Sequence, residues 1–251
     1  MKSVAPNHRR SLRKRASMLV AVSLSVAFAL LTLHARGYAQ NPPAGPRLTA
    51  AVVAARVQTF YDQVQDMDAR FCQTYRNKLY DRLDRSCGHV VFHKPGQMRW
   101  DYDPPSGKIL VSDGTRIQIF EPGGQGTPGQ VAEVPLAQSE LPQALSFLTG
   151  TGRMEEQFTL RLLNAAREGF PNGDVLELTP RHANPHFARI QLYVTRVQVG
   201  QATAGVVDRV LILEHTGNRN RFDFTSMNYR PTVDMNLFRW TPPAGTRRIT
   251  R

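Results

Sequence analysis

Segment after segment of this chain alternates apolar and polar residues, and turn-forming residues punctuate the alternation. KILVSDG (108–114), TRIQIF (115–120), QVAEVPL (130–136) and QFTLRLL (157–163) are followed by DVLELTP (174–180), ARIQLYVTRVQV (188–199), VVDRVLILEH (206–215) and RFDFTSM (221–227). A period of two places successive side chains on opposite faces of a strand. Ile117 and Ile119 share one face against Arg116 and Gln118, and Leu176 and Leu178 alternate with Glu177, as Phe222 and Phe224 do with Asp223. Asp113-Gly114, Pro122-Gly123-Gly124, Asn172-Gly173 and Thr216-Gly217-Asn218 supply the turns. Short strands in such number, with few helices between them, predict a mainly β fold in which an antiparallel sheet forms a sandwich or barrel.

Two segments break the period. In RLTAAVVAARVQTFYDQVQ (47–65), Val53, Val57, Phe60 and Val64 recur at helical spacing and Thr49 is placed to cap the helix. AQSELPQALSFLTGTG (137–152) predicts a second, shorter helix over 137–149. Leu141, Leu145 and Leu148 share its face, Ser139 caps it, Pro142 sits in its first turn and Gly150 ends it. A leucine-faced helix inserted in a strand meander must bury that face, and the concave side of the sheet is available.

The N-terminus reads as an export signal. Arg9, Arg10, Arg13, Lys14 and Arg15 precede an apolar run from Met18 to Leu33. That run is shorter than the roughly 20 residues of a bilayer-spanning helix. Gly37 and Ala39 are small, and cleavage is expected near Ala39, leaving a Pro-rich lead over 40–46 and a single domain over 47–251. Arg9-Arg10 leaves the general and twin-arginine routes both open. Residues 1–39 hold 7 of the 32 Lys+Arg and none of the 20 Asp+Glu, so the remainder carries 25 basic and 20 acidic residues. The surplus of five is scattered along strands and forms no basic helix or stacking platform, so nucleic acid is not an expected partner.

Export also sets the state of the cysteines. Cys72 and Cys87 lie in what reads as two arms of a hairpin turning near Leu79 to Leu83. Paired across it in an oxidising compartment, they form a disulfide worth about 3 kcal/mol in the chain-entropy model. The spacing is not that of a redox-active CxxC. His89 and His93 share a strand face but stand about 13 Å apart at 3.3 Å per residue. That is too far for one tetrahedral ion, and no metal or other cofactor is expected. GGQGTPGQ (123–130) has no lysine and opens no helix, so it reads as a hairpin tip, and Asp113 before a glycine reads as a turn residue. No nucleophile with a placed base is present, and no enzymatic activity is expected.

The stretch KPGQMRWDYDPPSGKILVSDG (94–114) resembles the core signature of the periplasmic outer-membrane lipoprotein carrier proteins, the LolA family. The likeness rests on Lys94-Pro95, Arg99-Trp100-Asp101, Pro104-Pro105 and Ile109 to Gly114. Phe71 and Gln73 match a first-strand motif, and Phe238 with Thr241 to Gly245 matches a closing strand and turn. Lys94 stands where the family often carries arginine, and Met98 where it carries an aromatic residue.

The resemblance implies an incomplete, curled antiparallel barrel with an α-helical lid. It implies a periplasmic carrier that shelters the acyl chains of lipoproteins between inner and outer membrane. Expected partners are acylated lipoproteins, an inner-membrane lipoprotein-releasing transporter and an outer-membrane receptor, with the carrier itself a monomer. Lys94 is the implied lid latch. The lipid-contacting set is Met98, Trp100, Leu110, Ile117, Ile119, Leu141, Leu145, Leu148, Leu176 and Leu178, although alternation alone leaves open which face of the strands points inward. A carrier of another lipid or glycolipid, and a lipoprotein-sensing binding module, are the alternatives.

Overall fold

The structure, a computed structural model, describes residues 48–139, 145–150, 152–229 and 231–249; the signal over 1–39, the Pro-rich lead over 40–46 and Leu141 with Pro142 lie outside these. Helix α1 (Ala50–Asp62) opens at Thr49, whose Oγ1 accepts from Val52 N at 3.3 Å. Its buried face is Val53, Ala54, Val57 and Tyr61, while Phe60 is only half-buried. Tyr61 is buried because its hydroxyl finds a partner there: it accepts from Val207 N at 3.2 Å.

Twelve strands follow: β1 (Asp66–Asn77), β2 (Arg82–His93), β3 (Gln97–Tyr102), β4 (Ile109–Asp113), β5 (Arg116–Glu121), β6 (Gln130–Pro135), β7 (Phe158–Leu163), β8 (Asp174–Pro180), β9 (Arg189–Val199), β10 (Ala202–Leu213), β11 (Arg219–Asn228) and β12 (Arg247–Ile249). They form one sheet in the order β12-β6-β5-β4-β3-β2-β1-β11-β10-β9-β8-β7. All neighbours are antiparallel except β12, which runs parallel to β6. The sheet is long enough to curl upon itself: Trp100 of β3 packs on Phe222 of β11 at 5.5 Å although β2 and β1 lie between them. β12 and β7 remain as edges, so the barrel is incomplete.

The hairpin of β1 and β2 puts Cys72 directly opposite Cys87, and the disulfide is formed. Gly88, next to Cys87, has no room for a side chain: a Cβ there would lie 2.2 Å from Asp101 O and 2.8 Å from the Phe71 ring. The Lys94–Pro95 and Pro104–Pro105 bonds are cis.

Of the expected helix over 137–149, residues 140–144 lie outside the described residues. Leu136–Gln138 before them is a 3-10 turn, Ser139 has the extended backbone that suits its expected place as N-cap, and α2 (Ser146–Thr149) is a single turn that Gly150 ends in a left-handed conformation. A second single turn, α3 (Met154–Gln157), leads into β7. The closing strand expected at Phe238 is a 3-10 turn, Met235–Phe238, and the last strand, β12, comes later. The aromatic ring of Phe238 is buried all the same, 6.1 Å from His93.

β8 is buried on both faces. Its inward residues are Leu176 and Leu178, and outward-facing Glu177 is 4% exposed. Arg161 Nη2 reaches Glu177 Oε1 at 2.6 Å and Gln191 Nε2 reaches Oε2 at 3.2 Å. Burial pushes this carboxyl up, but these hydrogen bonds and the nearby Arg189 outweigh it and hold the group below its ordinary value. A folded-state value below the unfolded one gives stability that is full above about 4.5 and is lost as pH falls through the folded-state value. Glu177→Gln is therefore expected to flatten the acid limb of a Tm-against-pH profile; an unchanged limb would show that the carboxylate contributes nothing.

Candidate functional site

The 94–114 stretch assembles the mouth of the barrel, and its residues do so through hydrogen bonds. Ser112 is fully buried; its Oγ donates to Gly96 O at 2.9 Å and accepts from Gly114 N at 3.1 Å. One hydroxyl thus staples the β2–β3 turn to the β4–β5 turn. Asp113 Oδ1 accepts from Thr115 N at 2.8 Å, from Thr115 Oγ1 at 2.8 Å and from Arg116 N at 2.9 Å. These bonds hold its carboxyl below the usual range, against the upward push of partial burial, and leave it a turn-builder. Gly114 adopts φ +100°, where a side chain is strained.

The covering helices are tied to this rim. Gly96 N donates to Thr149 O at 2.9 Å, which fixes the end of α2, and Leu136 N donates to Thr115 O at 2.9 Å. Lys94 lies between α1 and α2. Its Nζ donates to Tyr61 O, in the last turn of α1, where a cation is favoured by the helix dipole. Its stem runs beside Gly150, where a Cβ would come 2.9 Å from Lys94 Cδ. Burial lowers the Lys94 pKa, and Asp62 opposes that shift.

Beneath the rim lies a continuous apolar interior. Met98, Trp100, Leu110, Ile117, Leu145, Leu148, Leu176 and Leu178 are buried in one cluster, with Ile119 half-buried against it. This decides which alternate set faces inward, and of the expected lipid-contacting set only Leu141 lies outside the described residues. Trp100 is at the centre, 4.7 Å from the Phe71 ring and 5.6 Å from Phe92. Its indole Nε1 is buried and has no hydrogen-bond partner among the described residues. Such an orphan costs about 1–3 kcal/mol relative to a satisfied group.

The interior is filled by its own side chains, and the open space is at the mouth. A cavity of about 590 Å³ lies there, of ligand-binding size. Gly114, Thr115 and Leu136 line one side, Phe158, Pro180 and Phe187 the other, and Ser146 and Gln157 belong to the covering turns. Phe158 and Phe187 stack with centroids 6.5 Å apart. Sequence reading did not single out either ring. Phe187 lies in a loop, where periodicity is silent, and its position depends on Asn184 Oδ1, which accepts from its backbone N–H at 3.1 Å.

Residues 62–241 match the family model described as outer membrane lipoprotein carrier protein LolA. An outer-membrane lipoprotein carrier protein from Nitrosomonas europaea is 26% identical over 190 residues, covering 75% of this chain and 84% of the relative. One from Nitrosospira multiformis is 27% identical over 198 residues, covering 78% and 88%. Among solved structures, a LolA superfamily protein from Nitrosomonas europaea superposes with a TM-score of 0.42 at 13% identity, covering 76% of this chain and 98% of that one.

Proposed function

The chain belongs to the LolA family of outer membrane lipoprotein carrier proteins, and on that premise we propose that it carries the acyl chains of lipoproteins through the periplasm. The observation that supports this most directly is an apolar concave face with a cavity of about 590 Å³ at its covered mouth. Transfer of one palmitoyl chain from water to an apolar site is worth about 12 kcal/mol at 0.8 kcal/mol per CH₂. That is ample to displace Leu145 and Leu148, which fill the space under the cover when no cargo is present.

In this reading acyl chains enter beside Phe158 and Phe187 and extend toward Met98, Trp100, Leu110, Ile117, Ile119, Leu176 and Leu178. Leu141, outside the described residues, is assigned to the same lipid-contacting set as Leu145 and Leu148. Lys94 is the latch: it holds the end of α1 by one carbonyl and lies against Gly150 at the end of α2, so release of that contact frees both edges of the cover. A lysine supplies one point charge where an arginine would bind several carbonyls from a planar fork, so this latch opens at lower cost. No bond is made or broken. The inner-membrane lipoprotein-releasing transporter loads the carrier, the outer-membrane receptor unloads it, and the signal over 1–39 is removed on export.

The acceptor that Trp100 Nε1 lacks is an ester carbonyl of the cargo. Native mass spectrometry of the protein with a triacylated lipopeptide tests the whole reading. One lipopeptide per chain is expected. An ether-linked analogue is expected to bind more weakly than the ester, and Trp100→Phe is expected to erase that difference, about 5- to 30-fold for a charge-free buried hydrogen bond of 1–2 kcal/mol. Absence of any lipopeptide complex would overturn carriage of lipoproteins; co-purification of a glycolipid in its place would assign the cavity to another lipid.

A further inference from the structure

The most exposed large apolar side chains of the described residues are gathered at one place, the turn at the other end of β2 from Lys94: Leu79, Tyr80 and Leu83 at the β1–β2 turn are 81%, 76% and 64% exposed. Isolated surface leucines need no explanation, but a hairpin tip that presents two leucines and a tyrosine together does. Three backbone N–H groups of this tip are bonded within the protein. Asn77 Oδ1 accepts from Leu79 N at 3.0 Å and from Tyr80 N at 3.1 Å, and Asn218 Oδ1 accepts from Lys78 N at 3.0 Å. A turn whose N–H groups are internally bonded enters an apolar medium without leaving donors unpaired. The Cys72–Cys87 disulfide braces the arms behind it.

The flank of the same hairpin is cationic. A groove of about 350 Å³ is lined by Arg76, Lys78, Arg189 and Arg219, with Glu214 as its acidic member. Arg76 and Arg219 are direct cross-strand partners, an arrangement that like charges make unfavourable. Arg76 is paired to Asp81 at 2.8 Å and Arg189 to Glu177 at 3.7 Å, while Lys78 and Arg219 have no ion pair among the described residues. On the tip itself Arg82 is paired with Asp84 at 2.8 Å, and Arg85 adds a further positive charge. An anion in the groove would relieve the juxtaposition that the fold maintains.

We propose that this end of the molecule docks on an anionic phospholipid bilayer, with Leu79, Tyr80 and Leu83 entering the interface and the Arg76–Lys78–Arg189–Arg219 groove receiving a lipid phosphate. Leucine and tyrosine at a convex tip, with lysine and arginine beside them, are the residue types that sit at the boundary of headgroups and acyl chains. A protein partner would be met by a flat face or a groove, whereas this tip is a projection. Docking there also brings the cargo site close. Ala188 lines the groove and the next residue back, Phe187, lines the mouth cavity, so the two sites share the β8–β9 loop.

Flotation of the full protein with vesicles tests this without cargo, so its failure and failure of the carrier reading are separable. Vesicles of phosphatidylcholine mixed with phosphatidylglycerol are expected to bind the protein, phosphatidylcholine alone to bind it far less, and added salt to weaken binding. Lys78→Gln with Arg219→Gln is expected to reduce binding roughly 30-fold, at about 1 kcal/mol per basic residue. Leu79→Ser with Tyr80→Ser is expected to reduce it at least about tenfold. All four positions are solvent-exposed, so Tm should not change. Equal binding to both vesicle types, or wild-type binding by either double variant, would overturn the proposal. So would a variant that loses transfer to a protein receptor when the wild type shows no vesicle binding.

Discussion

Leu145→Glu is expected to abolish the loading of a triacylated lipopeptide, while Leu145→Met loads nearly as well as the wild type. Leu145 is fully buried under the cover and sits just before α2, where its carbonyl accepts from Leu148 N at 2.9 Å and Thr149 N at 3.1 Å. An ionised carboxylate placed there without a partner costs several kcal/mol. The segment relieves that cost by turning outward, which removes Leu145 and Leu148 from the interior and exposes the apolar face to water. The cover is then lost as a device that opens for cargo and closes behind it. Methionine keeps the volume and adapts its shape, at less than about 1.5 kcal/mol. Circular dichroism separates loss of the cover from loss of the fold, since the strands carry most of the signal. Wild-type loading by a folded Leu145→Glu protein would show that this segment does not gate the interior.

Replacing Cys72 and Cys87 by serine is expected to lower stability by about 3 kcal/mol, from the loop that the disulfide closes. For a domain of this size that corresponds to a fall in Tm of roughly 6–12 °C. Lipopeptide loading below the new Tm is expected to be unchanged, because the pair belongs to the arms of the β1–β2 hairpin and not to the rim or the cover. Differential scanning calorimetry and the same binding assay decide this. A loss of loading without loss of stability would mean that the hairpin takes part in cargo handling.

Much of this protein is written locally. Alternation in TRIQIF and RFDFTSM places Ile117 with Ile119, and Phe222 with Phe224, on one face of their own strand whatever the neighbouring strand is, because successive Cβ atoms point to opposite sides. Thr49 caps α1 through a bond to a residue three positions away, and Asp113 closes a turn through bonds to Thr115 and Arg116. Cys72 and Cys87 meet because a hairpin with a short turn leaves one register. Which face of each strand points inward is not local, and the burial of Met98, Trp100, Leu110 and Ile117 in one cluster decides it.

What remained hidden depends on contacts between distant parts of the chain. Nothing near Glu177 announces that both faces of β8 are covered; that follows from Arg161 and Gln191 on the flanking strands. The cover meets the rim through bonds between distant residues, from Leu136 N to Thr115 O and from Gly96 N to Thr149 O. The mouth cavity joins Gly114 to Phe187, and the cationic groove joins Lys78 to Arg219, each across separations that no periodicity spans. Sequence by itself therefore determined which residues of a strand share a face, where turns fall and which cysteines pair, because those depend on backbone geometry over a few residues. The tertiary structure alone decided the pairing of β1 with β11, the filling of the interior and the placing of the mouth cavity and the cationic groove, because these depend on how a long twisted sheet closes on itself.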